Sequence, residues 1–123
     1  MKNTLVVQNS SHSLPNPILA RRCASYLCRL RGYMFRRQVE TDEGLLFIYP
    51  RESRMDTSIH MLFVFTDLAV FWLDSQNTVV DKVLARSWRP AYAPARAARY
   101  ILEAHPDHID DFQVGEKVEL LHA

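Results

Sequence analysis

At 123 residues, 48% hydrophobic and 24% charged, the chain suits one soluble domain over 1–123 with a core of its own. A formal net charge of +1 marks neither a nucleic-acid nor a membrane partner. Residues 1–54 hold nine basic and four acidic side chains and 55–123 hold six and ten, but a compact fold mixes and cancels these halves.

Residues 4–8 read as a first strand. Turn chemistry and two prolines follow, Pro15 and Pro17, and 18–24 reads as a second strand hairpinned to the first. Ser25 is an N-cap candidate, and Leu27, Leu30 and Met34 fall at helical spacing, so a helix or broken helix is expected over 25–35, with Gly32 near its end. Cys23 and Cys28 form neither a CxxC nor a disulfide framework and are expected to be buried, reduced thiols. With no secretory signal ahead of them, the setting expected is the cytoplasm. Residues 45–49 form a strand that Pro50 should stop.

The apolar stretch 59–73 is broken by Thr66-Asp67 and is rich in Phe, Val and Trp. It is read as two strands, 59–65 and 68–73, apolar on both faces and therefore covered on both sides, and too short to span a bilayer. Residues 78–85 return as a hairpin strand, 88–94 is a proline-containing loop, and 99–103 is a strand. A short helix is expected over 105–112, with Pro106 near its solvated start and Ile109 and Phe112 on its buried side, and a last strand over 117–121. The fold class that follows is α+β and β-rich, a mainly antiparallel barrel-like sheet with one or two short helices.

The order of motifs carries a resemblance. Arg31-Gly32-Tyr33-Met34-Phe35-Arg36 resembles an RGLMFR signature, Glu43-Gly44-Leu45-Leu46-Phe47-Ile48-Tyr49-Pro50 resembles EGMLFVFP, and Ser58-Ile59-His60-Met61 resembles SIHM. Trp72-Leu73-Asp74, Ala98-Arg99-Tyr100-Ile101-Leu102-Glu103 and Val114-Gly115-Glu116-Lys117-Val118 resemble FLD, ARYVLE and VGDRV, in the same order. Together they resemble the prokaryotic domain of unknown function 192 family. That resemblance implies a compact, mainly antiparallel barrel-like fold and no established reaction. It also implies a basic residue at Phe65 and a carboxylate at Ala69, an ion pair or polar site on neighbouring strands that this chain lacks.

No catalytic set, metal set or cofactor motif stands out. His60 lacks a sequence neighbour to act with, so a ring bonded to backbone is the plainer account. His105 and His108 beside Asp107, Asp110 and Asp111 have no clear third ligand, and a solvated helix start explains them. The leading functional reading is a non-enzymatic module that binds a small molecule or a protein through loops 50–57 and 88–97, with His60, Trp88, Tyr92, Arg96, Arg99 and Glu103 as ligand candidates. Two alternatives stand beside it. One is a small enzyme with a cryptic site near His60, Arg96 and Glu103. The other is an RNA-binding patch over 21–37, where Arg29, Arg31, Arg36 and Arg37 interleave with Tyr26 and Tyr33, against which the near-neutral total charge weighs.

Overall fold

The computed structural model describes residues 3–122. Seven strands form one mixed sheet: β1 (Thr4–Asn9), β2 (Ile18–Cys23), β3 (Glu43–Ser53), β4 (Leu68–Leu73), β5 (Val79–Ala85), β6 (Ala98–Ala104) and β7 (Val118–His122), in the spatial order β5-β4-β6-β3-β2-β1-β7. All neighbours are antiparallel except β2 and β3, which run parallel because the chain crosses between them through the helix α1 (Tyr26–Arg31). The sheet curls until its edges meet at one corner. There Thr78 bridges Lys117, and the Val118 N–H donates to the Asn77 carbonyl.

The strands divide two cores between the sheet's faces. Inside the curl, Phe71 and Leu73 pack with Leu5, Ile18, Leu102 and Phe112, and all seven strands contribute. On the outer face Val70 and Trp72 pack with Phe47, Ile101, Tyr33 and Met61. Every residue of β4 is buried, as its unbroken apolar run requires of a strand covered on both sides.

The remainder of the apolar stretch departs from expectation. Residues 59–65 are not a strand. Ile59 makes one bridge to Tyr92, the chain turns at 61–64, and Phe63 takes φ 61°. Ile59, Met61 and Val64 turn inward to roof the outer core while Leu62, Phe63 and Phe65 face out, a pattern a flat two-sided strand cannot produce. The Trp72 indole N–H donates to the Thr57 carbonyl at 2.7 Å and pins this roof to β4. Phe65 is therefore exposed at the surface and Ala69 is buried inside the curl, so the two are not facing partners on neighbouring strands.

Pro50 does not stop β3, which continues to Ser53. The β3–β6 register shifts between Ile48 and Ser53, so the missing proline N–H falls in the irregularity, on an exposed residue. Helix α1 is six residues long and buries none of them, too short to stand on propensity. Ser25 caps it by accepting from the Cys28 N–H, and Gly32 ends it at φ 47°. A disulfide joins Cys23 at the end of β2 to Cys28 in the helix, Cα–Cα 5.5 Å, in place of the two reduced thiols expected. The spacing of five looked uninformative because the turn that brings the two cysteines together is set by the strand end and the Ser25 cap.

The expected 105–112 helix is one 3₁₀ turn, Pro106–His108, and it is not solvated at His108. That ring is buried, with Nδ1 2.6 Å from Asp111 Oδ2 and Nε2 against the Thr41 carbonyl. It ties this segment to the loop before β3. No helix of the described residues is long and apolar enough to cross a membrane.

Candidate functional site

A cavity of about 350 Å³ lies between α1, the outer face of β3 and β6, and the 56–64 roof. Register decides which β6 side chains reach it. Glu103 pairs with Leu45 of β3 and Val70 of β4, so its carboxyl emerges on the outer face between two apolar neighbours, 4% exposed. No hydrogen bond or ion pair to this carboxyl exists among the described residues, and burial alone pushes its pKa up to about 8. At neutral pH it is largely a neutral acid, the form a carboxyl takes when buried without a cation.

Tyr33 is the second polar group in the wall. It is 2% exposed, and its hydroxyl has no hydrogen-bond partner. Burial raises its pKa first, and the Glu43 and Glu103 carboxyls add to that. Tyr49 is pushed up to about 12, mainly by burial, with Arg29 acting in the opposite sense. Gly32 makes the wall possible: a Cβ there would lie 3.1 Å from Phe47 Cζ and 3.8 Å from Glu103 Oε1, at a φ that disfavours other residues. His60 borders the cavity with Nδ1 accepting the Leu62 N–H at 3.2 Å, which leaves the ring proton on Nε2. Arg29 spans the rim, donating to the Ala24 and Ile48 carbonyls with its guanidinium 4.7 Å above the Tyr49 ring.

The cavity thus brings His60 and Glu103 together, with Arg29 and Arg31 at the same opening. Loop 50–57 borders it through Pro50 and Asp56, and no residue of 88–97 lines it. Trp88 lies outside, ring against Phe63 and Phe65 at 5.0 and 5.8 Å in an exposed aromatic ledge. The Tyr92 hydroxyl accepts from the Arg86 N–H, and Arg89 sits above the Tyr92 ring. Arg96 is exposed in the 88–97 loop, and Arg99 donates to the Tyr49 carbonyl at 3.1 Å, stacked on Tyr100. Of the arginine-rich segment, Arg36 is held by Glu43 through two 2.9 Å bonds, while Arg31 and Arg37 are exposed. The sequence reading passes over Tyr49 and Gly32 as site residues and names Tyr33 only as an aromatic of the arginine-rich patch. Their signal lay in the two glycine-bearing motifs, which converge on one wall. Among the described residues no group of three or more His, Cys, Asp or Glu is placed to hold a metal ion.

The model of the family DUF192, described as an uncharacterized ACR, matches residues 7–120. A UPF0127 protein of Thermococcus kodakarensis is 41% identical over 92 residues, 75% of this chain and 57% of that protein. A UPF0127 protein of Pyrococcus abyssi is 36% identical over 97 residues, 77% of this chain and 80% of that one. The chain spans little more than half the length of the Thermococcus relatives it matches. Two crystal structures share the fold at 17% identity: a protein of Sinorhizobium meliloti, TM-score 0.80 over 95% of this chain and 92% of that one, and a protein of unknown function from Novosphingobium aromaticivorans, TM-score 0.74 over 94% and 83%. With the family model spanning nearly the whole chain and these relatives above 30% identity, the chain belongs to the DUF192 family, to which the UPF0127 name corresponds.

Proposed function

We propose that the chain is a non-enzymatic binding module whose small-molecule ligand occupies the cavity under α1. One observation carries this reading: two buried residues, Glu103 and Tyr33, stand in the cavity wall, the Tyr33 hydroxyl sealed without a hydrogen-bond partner and the Glu103 carboxyl without one among the described residues. Buried polar groups are costly unless something satisfies them, and a ligand in this cavity would do so. The volume is that of an ordinary small-molecule site, and the walls are mainly apolar, with few polar groups. The polar groups stand singly. Among the described residues no side chain is hydrogen-bonded to Glu103, and His60 accepts from the Leu62 backbone N–H, which favours recognition over a proton relay. The Cys23–Cys28 bridge favours work in an oxidising setting over the cytoplasmic one expected from the sequence.

The experiment is a fragment screen by ligand-observed NMR on the wild type and on Ile59→Trp, which fills the cavity from its roof. Hits that lose binding in the variant, with the melting transition kept, support the reading. Hits that bind both proteins equally place recognition elsewhere and sink it.

A further inference from the structure

The cavity's charge pattern points to a class of ligand, an inference that rests on the cavity being a ligand site. Its floor carries the carboxyl of Glu103 and the phenol of Tyr33, both on buried residues and neither with a hydrogen-bond partner among the described residues. Both can accept hydrogen bonds, and the carboxylate form of Glu103 lacks a cation. Around them the wall is apolar and aromatic, Phe47, Tyr49, Ile59, Met61 and Val64. Rings and a carboxylate in one desolvated pocket form the environment that organic cations select, since the ring faces and the anion both attract positive charge. Two wall tyrosines already show the affinity of their rings for cations: Arg29 lies 4.7 Å above Tyr49, and Arg36 lies 5.6 Å from the Tyr33 ring centroid. Neither arginine completes the site. Arg29 is spent on two backbone carbonyls and Arg36 on Glu43, so the Glu103 carboxyl remains unpaired.

We propose that the cavity takes a small organic cation, a primary ammonium whose N–H groups donate to the Glu103 carboxylate and the Tyr33 hydroxyl oxygen while its carbon skeleton lies on Phe47, Ile59 and Met61. An ammonium has three donors, and the floor offers it acceptors on two side chains. His60 presents a ring N–H rather than an acceptor, so it does not compete for the cation. Binding draws Glu103 into its charged form, and the proton it held in the free protein leaves to solvent. The titratable and charged groups facing this site, besides Glu103, are Tyr26, Arg29 and Arg31 from α1, Tyr33 just after it, Tyr49 from β3, and Asp56 and His60 from the roof. Arg31 sits on the exposed rim, where solvent screens it.

Calorimetric titration of the full chain with 2-phenylethylamine, 2-phenylethanol and phenylacetate, three probes close in shape, tests the assignment. The amine is expected to bind at least about tenfold more tightly than the other two, since only it can form the charge-assisted bonds. It should release close to one proton at pH 7, read from the dependence of binding heat on buffer ionisation enthalpy. Its affinity should rise about tenfold per pH unit from 5 to 7 and level off above 8, following Glu103. Glu103→Gln should abolish both the slope and the preference for the amine. His60→Gln should keep the slope, which assigns the proton to Glu103. Phenylethanol or phenylacetate binding as tightly as the amine overturns the cation assignment while leaving the cavity a ligand site. No binding of the amine at millimolar concentration also overturns it, whatever the fragment screen finds.

Discussion

Replacing Glu103 by Gln removes a buried carboxyl whose ionisation opposes folding. In the folded chain burial lifts the Glu103 carboxyl from 4.5 to about 8, and in the unfolded chain it returns to the ordinary value. Between those two pH values the folded protein keeps a proton that the unfolded protein has lost, so stability from this group is full below pH 4.5 and drains away as pH rises. The slope approaches 1.4 kcal/mol per pH unit, and the whole shift corresponds to about 5 kcal/mol. Gln keeps the size and the hydrogen-bonding reach of the neutral acid and does not titrate. Wild type and Glu103→Gln should therefore be of similar stability near pH 5, and the variant should be several kcal/mol more stable at pH 9. Asp67, held low chiefly by the Ser87 N–H, and Glu116, held low chiefly by the Gln113 N–H, act below this window and cancel between the two proteins. Urea unfolding at half-unit steps from pH 5 to 9 gives the difference curve. A flat difference, or a wild type that gains on the variant as pH rises, would refute the burial of an unpaired carboxyl at this position.

Tyr33→Phe deletes a hydroxyl that has no partner in the ligand-free protein, so it should raise stability by about 1 kcal/mol, and a lower melting transition would show that the hydroxyl is satisfied after all. His108→Leu leaves the buried Asp111 carboxyl without its ring partner and should cost about 3–5 kcal/mol in urea unfolding, whereas a change within about 0.5 kcal/mol would mean the pair is solvated. Reducing the Cys23–Cys28 bridge should cost about 2 kcal/mol from loop entropy and loosen α1, read as faster amide exchange over 26–31; two free thiols titrating in the denatured, unreduced protein would contradict the bridge. Ala69→Asp, inside the curl, should destabilise by several kcal/mol, and Phe65→Lys on the surface should neither cost much nor rescue it. A coupling above about 1 kcal/mol in the double-mutant cycle would mean that the two positions do face each other.

Much of the fold was legible because its signals are local or periodic. The hairpin of β1 and β2, the return of β5 after Asp74–Asn77 and the burial of both faces of β4 follow from turn residues and from unbroken or alternating apolar runs. Residues 59–65 misled because composition was taken for periodicity. Phe, Val and Ile favour strands, yet only 59, 61 and 64 point inward, and a turn at Phe63 accounts for the rest. Pro50 misled in the opposite sense, because the register irregularity that tolerates it exists only once β3 and β6 are paired. His108 and Asp111 look like surface residues in a polar segment, and only the Thr41 carbonyl, 67 positions away, reveals them as core.

The site was legible only in part, and the reason is physical. A functional group acquires its character from what surrounds it, and those surroundings are assembled from distant segments. Glu103 could be singled out as an acid ending an apolar strand. Nothing in its own neighbourhood reveals that Leu45 and Val70 flank it, that Gly32 opens the space above it, or that Tyr33 waits beside it without a partner. Trp88, Tyr92 and Arg96 drew notice for the opposite reason, since aromatic and basic residues in a proline loop resemble a binding loop in isolation. In the fold the first joins a surface ledge, the second anchors the 59–65 roof through its backbone, and the third faces solvent. Exposure and residue type single out residues able to bind something. Burial without satisfaction selects more sharply, because a folded chain tolerates it only where another molecule relieves it or where some other gain offsets the cost. By that criterion Glu103 and Tyr33 outrank the other residues that the sequence brings forward.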